Sequence, residues 1–460
     1  YNPFIDASAP GAPSQAKLLE TLSVYPSIDS ASHLTAYDFE ADGDLFSIPG
    51  GEVKAAFGGT ISRAAVDSLS VTYSSAVTPV ATPRSVGGGQ DTRAVFTEFS
   101  VPVFGKPNAI PLAQRLDLQL AGRYEKVGTF DKTVPKYGAS WSPFKEILVR
   151  GSWSEGFRAP GVTEYLTAPS STTSSVSDPR RTPATTTGVV VTSGSNPTPQ
   201  PERSNNLFGG IVYEPAYLKN FSFQANYYET RQRDVYQLLS AQTIVNNEAL
   251  FPGRVIRADA TASDLALGQP GQILGVNRQF INFGQVYNQS ADFNVDYRIP
   301  FEQLGRWHVS FMAMRDLKSY RKVAPGQPAV ILEDDTASPP KWTYNGALYW
   351  TGGSWNASVF LWHLDGFSSN SAGSINTVNS TAVLYYPIKS VNKLDVRLGY
   401  EFRNGVWRGY GKGLRVLASV DNITDEKPPF SDTVWGYNAG LHALLVQGRA
   451  YGISVTIPFN

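Results

Sequence analysis

Catalysis and metal binding draw on a short list of side chains, and this sequence is sparing with them. It has no cysteine, which excludes a disulfide framework, a thiolate zinc site and a cysteine nucleophile. Its four histidines, His33, His308, His363 and His442, stand far apart, so no histidine pair has metal-ligand spacing. The densest acidic stretch, Asp38-Phe-Glu-Ala-Asp42-Gly-Asp44, opens like a calcium loop, but Pro49 stands where the closing Glu should be. Alternation explains the same stretch better: Asp38, Glu40, Asp42 and Asp44 form one polar face of a strand. Gly409-Tyr-Gly411-Lys-Gly413 mimics a phosphate loop, yet no helix follows and a turn is the better reading. Gly151-Ser-Trp-Ser154-Glu-Gly156 lacks the spacing of a nucleophile elbow. No catalytic residue, metal site or cofactor is assigned.

Composition narrows the class further. The 460 residues carry 39 Lys+Arg and 39 Asp+Glu, a zero net charge without the basic excess that nucleic-acid binding needs. The 41 Gly and 31 Pro fit many turns and few long helices. No apolar run approaches the roughly 18 residues of a membrane helix. A bilayer also accepts closed β-barrels, whose strands give weak hydropathy signals. The chain begins at Tyr1 without a signal peptide, which reads as a processed product or a fragment.

The elements that must position any site are strands. In Lys393–Phe402, Leu394, Val396, Leu398, Tyr400 and Phe402 share one face while Lys393, Asp395, Arg397 and Glu401 share the other. In Arg115–Glu125, Leu116, Leu118, Leu120 and Tyr124 oppose Asp117, Gln119, Arg123 and Glu125; Tyr451, Ile453, Val455, Ile457 and Phe459 alternate with Gly452, Ser454 and Thr456. Period two of this quality marks strands. A soluble β-sandwich also alternates, but three features favour a membrane barrel. Full charges recur on the polar face. Segments such as Asn220–Arg231 are long enough for a tilted crossing of about 9–11 residues. Connections alternate in length, short at Pro49–Gly51, Ser142–Lys145, Pro215–Asn220, Pro300–Gly305 and Gly352–Ser354, and long at Ser74–Gln90, Ala159–Pro201, Ser240–Asn277, Arg321–Pro339 and Gly366–Ala382. Trp342 and Trp350, then Trp355 and Trp362, are spaced to mark two interfacial girdles roughly 19 Å apart in height. The expected fold is all-β: a transmembrane antiparallel β-barrel with about 15–16 strands present, occupying residues 1–460, with 159–201 a long extracellular Ser/Thr/Pro-rich loop.

Several stretches, in order, resemble a TonB-dependent outer-membrane receptor. Ser154-Glu-Gly156-Phe157-Arg158-Ala-Pro160, followed by Glu164-Tyr-Leu166, is similar to the family's mid-barrel motif. Tyr124 through Trp141-Ser-Pro143 and Leu148-Val-Arg150-Gly-Ser152 resemble the strand pair leading into it, and Pro201-Glu-Arg-Ser204 the segment that resumes the barrel. Val420-Asp-Asn422-Ile-Thr-Asp425-Glu-Lys-Pro428-Pro429 resembles the segment before the last hairpin. Gly448-Arg449-Ala-Tyr451 through Phe459 resembles the closing strand, with the departure that Asn460 follows the terminal Phe. Gly43-Asp-Leu-Phe46 through Gly50-Gly51 is similar to a strand–turn–strand of one subgroup. The family has an N-terminal plug, a TonB box and about 22 strands; neither plug nor box is found here, so the plug and first strands are expected to be missing from this sequence.

The resemblance implies a Gram-negative outer-membrane receptor for TonB-energised uptake of an iron chelate, a cobalamin or an oligosaccharide, without catalysis. Implied partners are outer-membrane lipid, TonB through the missing plug, the barrel-assembly machinery through the C-terminal strand and a small-molecule ligand; nucleic acid is not among them. Gly156, Phe157, Arg158, Pro160, Asn422, Asp425, Gly448, Arg449 and Phe459 are expected to serve barrel architecture. Arg158 and Arg449 are expected to pair with carboxylates, and no ligand-binding residue is assigned. Two alternatives stay open: a complete 16-stranded diffusion porin, which predicts that the first strand pairs with Arg449–Phe459, and a barrel enzyme or structural outer-membrane protein.

Overall fold

The computed structural model describes residues 27–73, 81–162, 164, 169–196, 198–282, 284–301, 303–322, 330–331, 340–369, 386–404, 411–431 and 436–458. Fifteen strands form one continuous antiparallel sheet, each hydrogen-bonded to its neighbours in sequence. They are β1 (Ser27–Ile48), β2 (Gly51–Tyr73), β3 (Ala81–Phe104), β4 (Arg115–Val127), β5 (Phe130–Phe144), β6 (Ile147–Arg158), β7 (Glu202–Tyr213) and β8 (Phe221–Arg233). There follow β9 (Gln285–Phe301), β10 (Gly305–Lys322), β11 (Trp342–Gly352), β12 (Trp355–Leu364), β13 (Val391–Phe402), β14 (Leu414–Asp421) and β15 (Ala450–Thr456). A two-residue strand, Val330–Ile331, adds to the edge of β10.

One tier read across five strands shows why the sheet folds this way. Leu398, Ala357, Trp350, Trp307 and Ile299 stand directly opposite one another on one face. Their sequence neighbours Arg397, Ser358, Tyr349, His308 and Arg298 form the matching row on the other. Apolar side chains thus meet lipid and polar ones line the lumen, the arrangement of an outer-membrane barrel. Asp38 and Asp44 fall on the lumen face, where Asp38 accepts from Thr60 at 2.7 Å and Asp44 pairs with Lys54 at 3.5 Å.

Most short connections lie at one end, as between β5 and β6 (145–146) and between β11 and β12 (353–354), and the longest at the other: 159–201, 234–284, 365–390 and 422–449; the two-residue turn 128–129 between β4 and β5 is a short one at the long-loop end. The expected Ser74–Gln90 loop is shorter. Despite Pro83 and Gly87–Gly89, β3 starts at Ala81 because the 23-residue β2 offers it a partner along its whole length. The 422–449 connection, absent from the expected long loops, is a real one.

The tryptophan expectation needs one correction. Trp342 and Trp350, eight apart, share the lipid face, but Trp355 and Trp362 are seven apart and therefore oppose each other. Trp355 meets Tyr400 on the lipid side at 4.7 Å, and Trp362 packs on the lumen side against the Leu364–Val391–Leu445 cluster. At the short-turn end Trp141 and Trp350 donate their indole N–H to the carbonyls of Leu112 and Leu304, at 2.8 and 2.7 Å. An amphipathic ring with a satisfied N–H suits the membrane interface.

Among the described residues β1 pairs only with β2 and β15 only with β14, so the sheet is open. Both strands run from the long-loop end to the short-turn end, so they are parallel to each other. Phe459 lies outside the described residues.

The facing assignment is tested by two neighbours near the middle of β13. Val396 faces lipid, while the Arg397 guanidinium lies 5.0 Å over the Phe360 ring in the lumen. Val396→Arg should cost about 2–4 kcal/mol near the midplane and sharply lower the folded, heat-modifiable protein recovered from outer membranes. Arg397→Leu should leave recovery near wild type; equal losses would reject the assignment.

Candidate functional site: the mouth and its loop domain

At the upper end of β6, Arg158 faces inward and gathers three segments. Its guanidinium donates to both Glu164 oxygens at 3.0–3.2 Å and to Glu202 at the start of β7 at 2.7 Å. Glu164 also accepts from the Gly161 N–H at 2.6 Å, and Glu202 from the Tyr236 N–H at 2.8 Å. Tyr236, at the base of the 234–284 connection, donates its hydroxyl to the Glu164 carbonyl at 2.6 Å and stacks on Phe280 at 4.8 Å. Charge-assisted, multidentate bonds of this kind fix orientation. Arg158 therefore ties the roots of the two longest connections to the wall.

Its predicted companions sit around it. A Cβ on Gly156 would collide with the Ser204 hydroxyl, Phe157 lies on the lipid face opposite Arg203, and the buried Pro160 carbonyl accepts from Gln90 at 3.0 Å.

Above this root the two connections fold into one small domain. Strands 170–177 and 185–193 from the first join 255–257 and 273–277 from the second, and 273–277 runs parallel to 185–193. Val189, Ile244, Val245, Ile273 and Val276 make its core, none more than 2% exposed. The helix Ala241–Asn246 starts where the Ser240 hydroxyl accepts from the Thr243 N–H at 3.0 Å.

Ion pairs lock the domain. Arg257 donates to Asp178 at 2.6 and 3.2 Å and to Glu248 at 2.7 to 3.2 Å, and Arg180 reaches Glu248 at 3.0 Å. Burial alone would raise the Asp178 carboxyl, but bonds from Arg257 and the Arg180 N–H hold it below its ordinary value. Arg181 pairs with Asp264 at 2.8 Å; that guanidinium and the bonds from Thr261 hold Asp264 down at about 2.

The 422–449 connection is organised from Asn422. It is fully buried in the left-handed region at φ 51°, and its amide bonds both ways with the Glu426 backbone at 2.9 Å. Its N–H donates to Asp395 at 2.7 Å, which roots the connection in β13. Asp425 accepts from Lys427 at 2.9 Å and from the Arg449 N–H at 3.0 Å, and these bonds lower its pKa. Gly448, at φ 66°, takes a conformation that disfavours a side chain. Arg449 thus enters through its backbone, and among the described residues its side chain has no carboxylate partner.

Below the mouth the lumen wall is cross-linked by polar side chains. Arg150 reaches past Gly210 to Asn226 at 3.1 Å, Asn226 donates to Asp292 at 2.9 Å, and Asn294 donates to the same carboxylate at 2.8 Å. The histidines are scattered over β1, β10, β12 and the 422–449 connection, and no group of three or more metal-ligating side chains occurs among the described residues. The arrangement is a polar-lined wall with a structured loop domain rooted at its long-loop end. Sequence reading missed this domain because its strands are short, those of the first connection are rich in Ser and Thr, and they pair between two separate connections. The Asp178-Pro-Arg180-Arg181 cluster, which sets two arginines beside a carboxylate, was the available signal.

Comparison with known proteins agrees with this geometry. The family model "TonB dependent receptor-like, beta-barrel" matches residues 6–423. A mutant of the ferric enterobactin receptor of Pseudomonas aeruginosa superposes with a TM-score of 0.60 at 13% identity, covering 93% of this chain and 54% of that one. The outer membrane transporter YddB of Escherichia coli gives 0.56 at 11% identity, with 93% and 54% covered. The siderophore receptor PirA of Acinetobacter baumannii gives 0.54 at 12% identity, with 94% and 63% covered. At such identities the likeness is one of fold. The chain spans about half the length of the first-matched receptor structures. No curated protein matches in sequence.

Two outcomes follow for the loop domain. Arg257→Met leaves Asp178 buried without its main partner, a loss of about 3–5 kcal/mol. Limited proteolysis should then cut within 159–201 or 234–284 while the barrel stays intact; unchanged protection would contradict the lock. Because Asp178 and Asp264 are depressed, their contribution is fully present above the unfolded carboxylate value near 3.9 and lost as pH falls toward about 2. Protection of these segments should hold from pH 7 to about 5 and fail only below about 4.

Proposed function

Since this chain belongs to the TonB-dependent receptor β-barrel family, we propose that it forms much of the barrel of an outer-membrane receptor that captures a scarce small ligand and takes it up with energy delivered through TonB. The match of the family model along residues 6–423 carries this reading. An iron chelate, a cobalamin and an oligosaccharide all suit a polar passage. The siderophore receptors among the structures similar in fold favour the first.

The strand arithmetic supports a larger barrel. Backbone at an open edge in lipid needs a partner. Closing β1 on β15 would require a parallel pair in a sheet that is otherwise antiparallel throughout. An odd number of further strands restores antiparallel closure, and about 22 in total leaves seven to add. This argues against a ring of the fifteen described strands alone; one further strand would give the sixteen of the porin alternative, and it is the receptor family match that favours the larger barrel. The added strands would come with a plug that carries the TonB-binding segment. β15, with Tyr451 and Ile453 at 74% and 81% exposed, would meet one of those strands and the assembly machinery. Within this reading the motif residues, from Gly156 to Arg449, hold the wall and roots of the loops, and ligand is met by the loop domain and upper lumen.

The test is uptake. Cells carrying the full-length receptor should accumulate labelled ferric siderophore only with functional TonB, and a variant lacking residues 170–193 and 241–277 should lose at least tenfold. Uptake that persists without TonB would replace this reading by a passive pore.

A further inference from the structure

On the lipid-facing side of β7–β10 the rule that confines charge to the lumen breaks down at the long-loop end. Arg203 on β7 stands directly opposite Arg233 on β8. Across β9, the Gln285 beside Arg233 faces Lys322 on β10. One tier nearer the short turns the same face carries Arg231, Tyr287 and Tyr320, and the next carries Glu229 and Lys318. Arg315 follows below. That is six cations against one carboxylate on four adjacent strands. Glu229 pairs with Arg231 at 2.6 Å; among the described residues none of the other five cations has an acidic partner.

Position and geometry make this more than a stray cluster. From Phe221, in the aromatic belt of the short-turn end, to Arg231 is ten residues. At about 3.3 Å per residue and a tilt near 45° this is roughly 23 Å of height, close to the apolar band of about 25 Å. The cations therefore stand where hydrocarbon gives way to head groups, on the leaflet that faces the loops. Tyr287 and Tyr320 stack at 4.9 Å. The Arg231 guanidinium lies 5.4 Å from the Tyr287 ring, and the Lys318 ammonium 5.4 Å from Tyr320 and 5.9 Å from Tyr287. The two cations are thus held over one aromatic platform, beside a cleft of about 260 Å³. Arg231 is still half exposed.

Isolated Lys and Arg at an interface merely reach up to water. That does not account for two arginines directly opposed across a strand pair, an arrangement that destabilises a sheet unless an anion sits between them. Phosphate answers the chemistry: Arg binds it bidentately and Lys as a point charge.

We propose that this patch binds the phosphorylated head group of an outer-leaflet lipid. Arg231 and Lys318 grip a phosphate over the Tyr287–Tyr320 pair, and Arg203, Arg233 and Lys322 take anionic groups closer to the loops. The acyl chains lie along the apolar face below. The proposal rests on the barrel's placement in the outer membrane and not on uptake, so a failure of TonB-dependent transport leaves it standing.

The test is native mass spectrometry of the full-length receptor in detergent, titrated with phosphatidic acid and with diacylglycerol of the same chains. Wild type should retain phosphatidic acid at least tenfold more tightly. Arg231→Gln combined with Lys318→Gln should remove most of that preference, whereas Arg415→Gln on the lumen face should not. Equal retention of the two lipids by wild type overturns the proposal whether or not the double variant folds. An undiminished preference in a folded double variant overturns it as well. Displacement of the lipid by millimolar inorganic phosphate would assign the site to a soluble anion and overturn the lipid reading.

Discussion

A strand that crosses hydrocarbon must have every backbone N–H and C=O bonded to a neighbouring strand, because no water is there to substitute. The rest of this protein depends on that constraint. It makes the sheet continuous from Ser27 to Thr456, and it sets period-two alternation, since each strand has lipid on one side and lumen on the other. It also sorts the connections. Most short turns gather at one end, and most of the irregular backbone that lipid cannot tolerate is gathered at the other, where it builds a domain.

The wall and the loop domain are stabilised by different means. The wall relies on ladder pairing, with side chains bridging neighbouring strands along a tier, as where Arg150 and Asp292 meet through Asn226. The loop domain has its own aliphatic core and a buried ionic lock around Asp178 and Arg257. Arg158 joins the two, since Glu164 and Glu202 on its guanidinium belong to the roots of the connections that fold together above. A domain built this way is organised separately from the wall and rooted at a few points.

Much of the wall was legible from residues alone. β4, β13 and β15 show undisturbed alternation, and the structure keeps the expected faces. Where legibility failed, the cause is non-local. The start of β3 reads as a loop because its residues are Pro- and Gly-rich, yet β2 supplies the pairing. The loop domain was illegible because its sheet pairs segments about 80 residues apart, neither of which alternates strongly. Trp362 was assigned by spacing to a girdle, but an odd separation from Trp355 puts it on the other face. The basic outer tiers of β7–β10 could be seen only after the register brought Arg203 beside Arg233.

In the proposed receptor barrel, β1 and β15 do not close on each other in the membrane, and further strands stand between them. The sequence contains no cysteine, so engineered pairs can be read against an empty background. Tyr37→Cys with Ile453→Cys probes direct closure, and Ala418→Cys with Ile453→Cys is the positive control, since those two residues are opposite across β14 and β15. In intact cells a disulfide should form in the control and none between β1 and β15. Efficient crosslinking of β1 to β15 would contradict it.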